Sequence, residues 1–187
     1  MPAEPKANRG PSAGPDNRRA LIAAAREVFA ESGLSAPLNS VAKRAGVGQG
    51  SLYRHFPDRV SLAVAVFDEN IGALEELAQR PGMTLDNLFD AVAEQVVGSS
   101  ALIDLVTEHR HDPRAEHLNT RVTGVVDILL ARDQAAGTIG RHVDSADVML
   151  AVSMLAFVLA RTEDAERTDV RARTHAMFRA AFAPTAD

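Results

Sequence analysis

The placement of the nine prolines constrains the fold of this 187-residue chain more than any other feature of its sequence. Four of them fall in the first fifteen residues. Proline is tolerated in the first turn of a helix or outside it. No segment shows sustained period-two alternation or an Asn-Gly or Asp-Gly hairpin signal, so the pattern predicts an all-α protein. The other five prolines lie at the edges of segments with helical periodicity: Pro37, Pro57, Pro81, Pro113 and Pro184.

Apolar residues at helical spacing predict about nine helices, separated by turns that contain glycine or proline. We expect a disordered arm over residues 1–15, a small N-terminal domain over 16–62 and a larger helical domain over 63–187. The predicted helices span 16–32, 37–45, 49–56, 58–79, 84–97, 99–110, 112–136, 145–161 and 168–182.

Composition excludes several classes of protein. The chain has no cysteine, so it can form neither a disulfide nor a thiolate metal site. It has no G-x-S-x-G or G-x-x-x-x-G-K-[ST] motif, and we expect neither enzymatic activity nor a cofactor. No secretory signal is visible, and the longest apolar stretch, 146–160, is too short to span a bilayer. These features predict a soluble cytoplasmic protein with no membrane partner.

Charge is unevenly distributed along the chain. Residues 1–61 hold nine Lys and Arg against five Asp and Glu, whereas residues 62–187 hold eleven against twenty. A basic N-terminal part on an acidic body favours contact between that part and a polyanion, although chance scatter on a solvated surface gives the same numbers.

Two short amphipathic segments, 37–45 and 49–56, are joined by a Gly-Val-Gly turn. This arrangement is typical of a helix-turn-helix, in which the second helix lies in the major groove of DNA. If Leu52 and Phe56 face the core, Arg54 and Gly50 must face outward.

The side chains of the second segment suit contacts to a duplex. Arg54 can bind guanine through two hydrogen bonds, Gln49 can bind adenine, and Gly50 allows close approach of the backbone. The alternative is structural: Tyr53 packs against the first helix and His55 caps the second segment. Four side chains can position the protein by binding phosphate oxygens: Ser51, Tyr53, His55 and Arg59. The predicted DNA-binding set is completed by Ser40 and Lys43.

Residues 41–62, VAKRAGVGQGSLYRHFPDRVSL, closely resemble the DNA-binding core of the TetR family of bacterial transcriptional regulators. The chain departs from that family's pattern at Gly48, where serine is usual, at Pro37, where threonine is usual, and at Arg59, where lysine is usual. The residues that coincide with the pattern are Val41, Ala42, Ala45, Gly46, Val47, Gly50, Leu52, Tyr53, His55, Phe56 and Leu62, and Arg59 keeps the positive charge of its position.

The resemblance implies a repressor that binds a palindromic DNA operator as a homodimer and is released by a small-molecule effector in its C-terminal domain. The alternative is a helical ligand-binding or interaction module with little affinity for DNA. The segment 145–161 is apolar nearly all round, so it must be covered on more than one side, by a partner or within one subunit. The predicted dimer contacts are Val148, Val152, Leu155, Val170, Thr174, Met177, Phe178 and Ala181.

The effector is expected to lie among apolar residues of the C-terminal domain, although each of these residues taken singly is more typical of plain core than of a ligand contact. The candidate pocket residues are Phe67, Ile71, Phe89, Val92, Leu105, Val122, Val126, Leu129, Met154 and Phe157.

A cluster of histidines, at 109, 111 and 117, invites comparison with a metal site. His109 and His111 are two residues apart and would point about 200° apart on a helix. No zinc spacing is present, so we predict a solvated loop and no metal.

Overall fold

The computed structural model describes residues 14–33, 35–97 and 113–185. Every regular element in these ranges is an α-helix, which confirms the predicted all-α class. The predicted helix at 99–110 lies outside the described residues. In chain order the helices are α1 (Gly14–Ser32), α2 (Leu38–Ala45), α3 (Gln49–His55), α4 (Arg59–Gln79), α5 (Leu85–Val97), α6 (Pro113–Ala135), α7 (Ser145–Ala160) and α8 (Arg167–Phe182).

Local capping explains why two of the helices begin where they do. The Asp58 carboxylate accepts the backbone N–H of Ser61 at 2.6 Å, and the Ser61 hydroxyl accepts the N–H of Asp58 at 3.3 Å. Asp144 and Asp147 form the same reciprocal pair at the start of α7. Each pair satisfies N–H groups that the first turn of a helix leaves without partners.

The first hydrophobic core lies between α1, α2, α3 and the first turns of α4. Leu21, Phe29 and Leu52 are almost fully buried there. On α4, Ala63, Ala65 and Val66 belong to this core, which therefore reaches a few residues beyond the boundary expected at residue 62.

The second core lies between the end of α4 and helices α5 to α8, where Leu88, Leu129 and Leu155 are completely buried. Helix α4 runs from one core into the other, with Leu62 in the first and Leu74 in the second. A displacement of this helix therefore acts on both regions.

No helix within residues 14–33, 35–97 and 113–185 is both long and apolar enough to cross a membrane. The same residues contain no group of three or more His, Asp or Glu side chains arranged to hold a metal ion. His117 is exposed, whereas His109 and His111 lie outside the described residues.

Candidate nucleic-acid interface

The turn between α2 and α3 depends on glycine. Gly46 has φ +66° and ψ +22°, in the left-handed region that side chains with a Cβ disfavour. The backbone N–H of Val47 bonds to the carbonyl of Ala42 at 3.0 Å, which ends α2. Gly48 then caps α3 without a side-chain hydrogen bond, as expected where glycine replaces a hydroxyl residue.

The structure gives α3 the orientation that its periodicity predicts. Leu52 and Phe56 are 1% and 3% exposed and anchor the helix in the core that it shares with α1 and α2. The opposite face is open, and Tyr53 is 49% exposed. The exposed residues of this helix are Gln49, Gly50, Tyr53 and Arg54.

The other predicted DNA-binding residues differ in how exposed they are. Lys43 of α2 is exposed, whereas Ser40, Ser51, His55 and Arg59 are half-buried.

Internal hydrogen bonds engage four of the predicted DNA-binding side chains. The Ser40 hydroxyl donates to the carbonyl of Pro37 at 2.6 Å, and Arg54 Nη2 donates to the Ser51 hydroxyl at 3.2 Å. Arg59 Nη1 donates to the carbonyl of Ala36 at 2.5 Å, which ties the start of α4 to the segment before α2.

The neighbouring cations differ in their partners. Arg44 binds both carboxylate oxygens of Glu31 at 2.6 and 2.7 Å and also contacts Glu27 of α1 at 3.4 Å. The hydrogen bond from Arg44 lowers the pKa of Glu31 below its ordinary value. By contrast, Lys43 and Arg54 contact no carboxylate in the part of the chain that the structure describes. Arg44 is thus neutralised against α1, whereas Lys43 and Arg54 present their charges on the open face.

The start of α4 is capped by an acidic side chain. The first turn of a helix has free backbone N–H groups that attract phosphate, but the Asp58 carboxylate already accepts one of those of α4, that of Ser61. A phosphate at this helix end would meet the negative charge of Asp58.

Comparison with known proteins agrees with this geometry. Residues 21–66 match the family described as bacterial regulatory proteins, tetR family. The chain is 28% identical over 156 residues to the HTH-type transcriptional activator FasR of Mycolicibacterium smegmatis, covering 70% of this chain and 71% of that protein. The chain is therefore similar to the TetR family in its N-terminal region and to a TetR-type regulator over most of its length.

Solved structures of TetR-family proteins share its fold. The TetR transcriptional regulator SCO0520 from Streptomyces coelicolor superimposes with a TM-score of 0.67 at 25% identity, over 90% of this chain and 99% of that one. A TetR transcription regulatory protein from Mycobacterium vanbaalenii gives 0.63 at 25% identity, over 88% and 96%. In sequence and in fold, the chain is thus similar to TetR-family transcriptional regulators.

An apolar cavity of about 190 Å³ lies in the C-terminal helical region, beside α4. No charged side chain is among its described lining residues, which are ten apolar groups and three amides. The lining residues are Phe67, Asn70, Ile71, Leu74, Val92, Gln95, Val96, Leu118, Asn119, Val122, Met149, Val152 and Ala156.

Four of the predicted pocket residues line this cavity: Phe67, Ile71, Val92 and Val122. Five of the other six lie elsewhere in the described structure, and the sixth lies outside it.

Val126 and Leu129 are 0% exposed and belong to the core. Met154 and Phe157 are 46% and 48% exposed, because they lie on the outer face of α7. The last two predicted pocket residues are Phe89 and Leu105. Phe89 lines a second cavity, and Leu105 lies outside the described residues.

The predicted dimer residues also divide by position. Val148 and Leu155 are completely buried in the protomer and present no surface to a second chain, which corrects their assignment as dimer contacts. Val152 lines the apolar cavity and Phe178 is 7% exposed.

The remaining dimer candidates are on α8. Val170 and Thr174 are half-buried, and the Thr174 hydroxyl donates to the carbonyl of Val170 at 2.7 Å. Met177 is 64% exposed and Ala181 is also exposed.

Sequence reasoning missed two groups of residues. Leu150 and Val158 are exposed on α7, but a helix that is apolar all round does not reveal its outer face. The three amides of the cavity were also missed, because an isolated amide on a helix gives no sequence signal. They are Asn70, Gln95 and Asn119.

Proposed function

We propose that this regulator represses transcription by binding a palindromic DNA site as a homodimer and releasing it when a small apolar effector binds. The observation that carries the DNA-binding part is the open face of α3. Arg54 and Gln49 stand on a helix of the width that enters a major groove, and both can form paired hydrogen bonds to base edges.

Phosphate contacts would orient that helix. Tyr53, Lys43 and Ser51 border the open face, and Lys43 lacks a carboxylate partner among the described residues. A cation that makes no internal ion pair loses none when it binds phosphate. His55, Arg59 and Ser40 lie deeper and are proposed to contact the backbone at the edges of the interface.

A homodimer is proposed through the outer face of α7 and α8. Leu150, Met154 and Phe157 follow one face of α7 at helical spacing and are 46–61% exposed. Met177 of α8 is 64% exposed. An apolar face of this kind is typical of an interface, and a two-fold dimer places two recognition helices about 34–36 Å apart on a palindrome.

The effector is proposed to bind in the apolar cavity. A charged ligand there would find no counter-ion among the described lining residues, so we expect an uncharged molecule whose polar group meets Asn119 or Gln95.

Helix α4 is proposed to carry the signal, and Asn70 is the residue that joins the two regions. Asn70 lines the cavity and accepts a hydrogen bond from Arg26 of α1 at 3.1 Å. Its backbone carbonyl accepts another from Gln95 of α5 at 3.2 Å. Arg26 also contacts Glu69 at 3.2 Å, so a ligand that moves α4 also moves α1.

Selection of bound sequences from a random duplex pool, at about 0.15 M salt, tests the proposal. Enrichment of one palindrome is the expected result, and an Arg54→Ala selection should relax the preference at one position of each half-site. Failure of the folded protein to enrich any sequence would favour an interaction module that does not read DNA. A reporter gene driven by the selected site then shows whether the protein represses or activates transcription. Repression predicts increased expression without the regulator, and activation predicts a decrease.

A further inference from the structure

A second cavity, of about 340 Å³, lies at the end of the C-terminal domain between the start of α5, the end of α6 and the end of α8. It shares none of its lining residues with the apolar cavity beside α4. Its volume falls within the range typical of small-molecule sites, about 300–1,000 Å³.

The wall of this second cavity is fixed by hydrogen bonds. The backbone N–H of Gly140 donates to the carbonyl of Phe182 at 2.8 Å, which joins the turn after α6 to the end of α8. The Gln134 side chain donates to the carbonyls of Gly140 and Val143 at 3.2 and 2.9 Å. A Cβ on Gly140 would come within 2.4 Å of the His142 ring, so a larger residue at this position would require that ring to move.

A buried carboxylate, that of Asp133, lines the cavity and is 5% exposed. One of its oxygens, Oδ2, accepts the backbone N–H of Leu85 at 2.8 Å, and the other has no hydrogen-bond partner in the described part of the chain. Burial raises the pKa of Asp133 above its ordinary value. This shift reflects the cost of holding a carboxylate among apolar groups with incomplete hydrogen bonding.

Three phenyl rings form the apolar side of the same cavity. The ring centroids of Phe89 and Phe178 are 5.2 Å apart, and those of Phe178 and Phe182 are 6.1 Å apart. Such rings accept another aromatic or branched aliphatic group, and their faces attract cations.

The charged lining residues carry a net negative charge. They are Asp86, Asp133 and Arg179, and Arg179 Nε already binds Asp86 Oδ2 at 2.9 Å. The nearby Arg132 donates its hydrogen bonds to backbone carbonyls at the end of α4 and in the turn after it, and it acts on Asp133 only through its charge. Asp133 is therefore the carboxylate in this lining that lacks a side-chain cation partner.

We propose that this cavity is a binding site for a small organic ammonium ion that carries an aromatic or branched aliphatic group. The ammonium group donates to Asp133 Oδ1, and the apolar group packs on Phe89, Phe178 and Phe182. The site is separate from the effector cavity and does not depend on the assignment of DNA binding.

Calorimetric titration at neutral pH tests this site with two probes of the same shape, phenethylamine and 2-phenylethanol. Phenethylamine should bind at least about tenfold more tightly, since a hydrogen bond between charged groups contributes about 1.5–3 kcal/mol. Asp133→Asn keeps an oxygen for the N–H of Leu85 and should abolish the difference between the probes. Asp127→Asn, on the exposed side of the same helix, should preserve it.

A second variant keeps the test decisive if Asp133→Asn does not fold. Ala183 is exposed and lines the cavity, so Ala183→Trp should fill it and remove phenethylamine binding without loss of helical content. Equal binding of the two probes, no binding of either, or an undiminished phenethylamine affinity in Ala183→Trp or folded Asp133→Asn would overturn the proposal. Asp133 would then serve only to cap α5.

Discussion

The two ends of the molecule present opposite kinds of surface on the same kind of scaffold. In the N-terminal region a small apolar core holds α3 so that Gln49, Tyr53 and Arg54 point outward. In the C-terminal region the apolar core is larger, and the outer surface also carries apolar side chains, among them Leu150 and Met177. Polar groups on a helix indicate their outward face in the sequence, whereas apolar residues on both sides of a helix do not.

The largest expected effect is on the core that holds the polar face. Leu52→Ala should lower the free energy of unfolding by about 2–5 kcal/mol, because Leu52 is 1% exposed and its truncation leaves a cavity. Urea denaturation followed by circular dichroism measures the change. Gln49→Ala, at an exposed position of the same helix, should stay within about 0.5 kcal/mol. Equal effects of the two substitutions would contradict the assignment of Leu52 to the core and of Gln49 to the exposed face.

The apolar surface should be sensitive to charge. Leu150→Asp should weaken the homodimer by about 2–4 kcal/mol, because it places a carboxylate on the proposed interface. Sedimentation equilibrium measures the dissociation constant. Ala30→Asp adds the same charge at an exposed position of α1 and should leave it unchanged. A dimer that tolerates Leu150→Asp would refute this interface.

The link between the two regions can be tested without knowing the effector. Ala156→Leu adds volume at the apolar cavity and should imitate a bound ligand, lowering affinity for the selected DNA site by about 1–3 kcal/mol. Fluorescence anisotropy measures that affinity, and Ala172→Leu, exposed on α8, is the control. Arg26→Ala should reduce the effect of Ala156→Leu, because it removes the hydrogen bond to Asn70. Unaltered DNA affinity in Ala156→Leu would argue against coupling through α4.

The smallest effect is a dependence of stability on pH. Burial lowers the pKa of His175 below its ordinary 6.5, opposed by Asp90 and reinforced by Arg171. The unfolded chain therefore takes up the proton first as pH falls below about 6.5, and stability decreases by at most about 1.4 kcal/mol per pH unit until the folded pKa is passed.

Denaturation at several pH values between about 5 and 7 measures the slope. His175→Gln should flatten it, and the exposed His117→Gln should retain it. A slope unaffected by His175→Gln would assign the titration to other groups.

The sequence predicted the fold well because turns and caps are local. Gly46, Pro57 and Asp58 mark ends of helices by their own backbone and side-chain chemistry, and the structure places the ends within about two residues of expectation.

The orientation of α3 was also predictable, since Leu52 and Phe56 lie four residues apart on one face. The C-terminal surfaces were not. Val148 and Leu150 are equally apolar, yet one is 0% and the other 61% exposed, because contacts with other helices decide which is covered. Asp133 likewise has no sequence signal, since only the fold brings it to the N–H of Leu85, 48 residues away along the chain.

The most direct test of the account compares two arginines ten residues apart. Arg54 contacts no carboxylate among the described residues, whereas Arg44 is paired with Glu31. Affinity for the selected palindrome and for one with a single substituted base pair should be measured with Arg54→Ala and Arg44→Ala. The account predicts that Arg54→Ala loses about 1–3 kcal/mol of discrimination at one position and that Arg44→Ala keeps it. Equal loss in both variants, or loss only in Arg44→Ala, would contradict the assignment of the outer face of α3 as the surface that reads DNA.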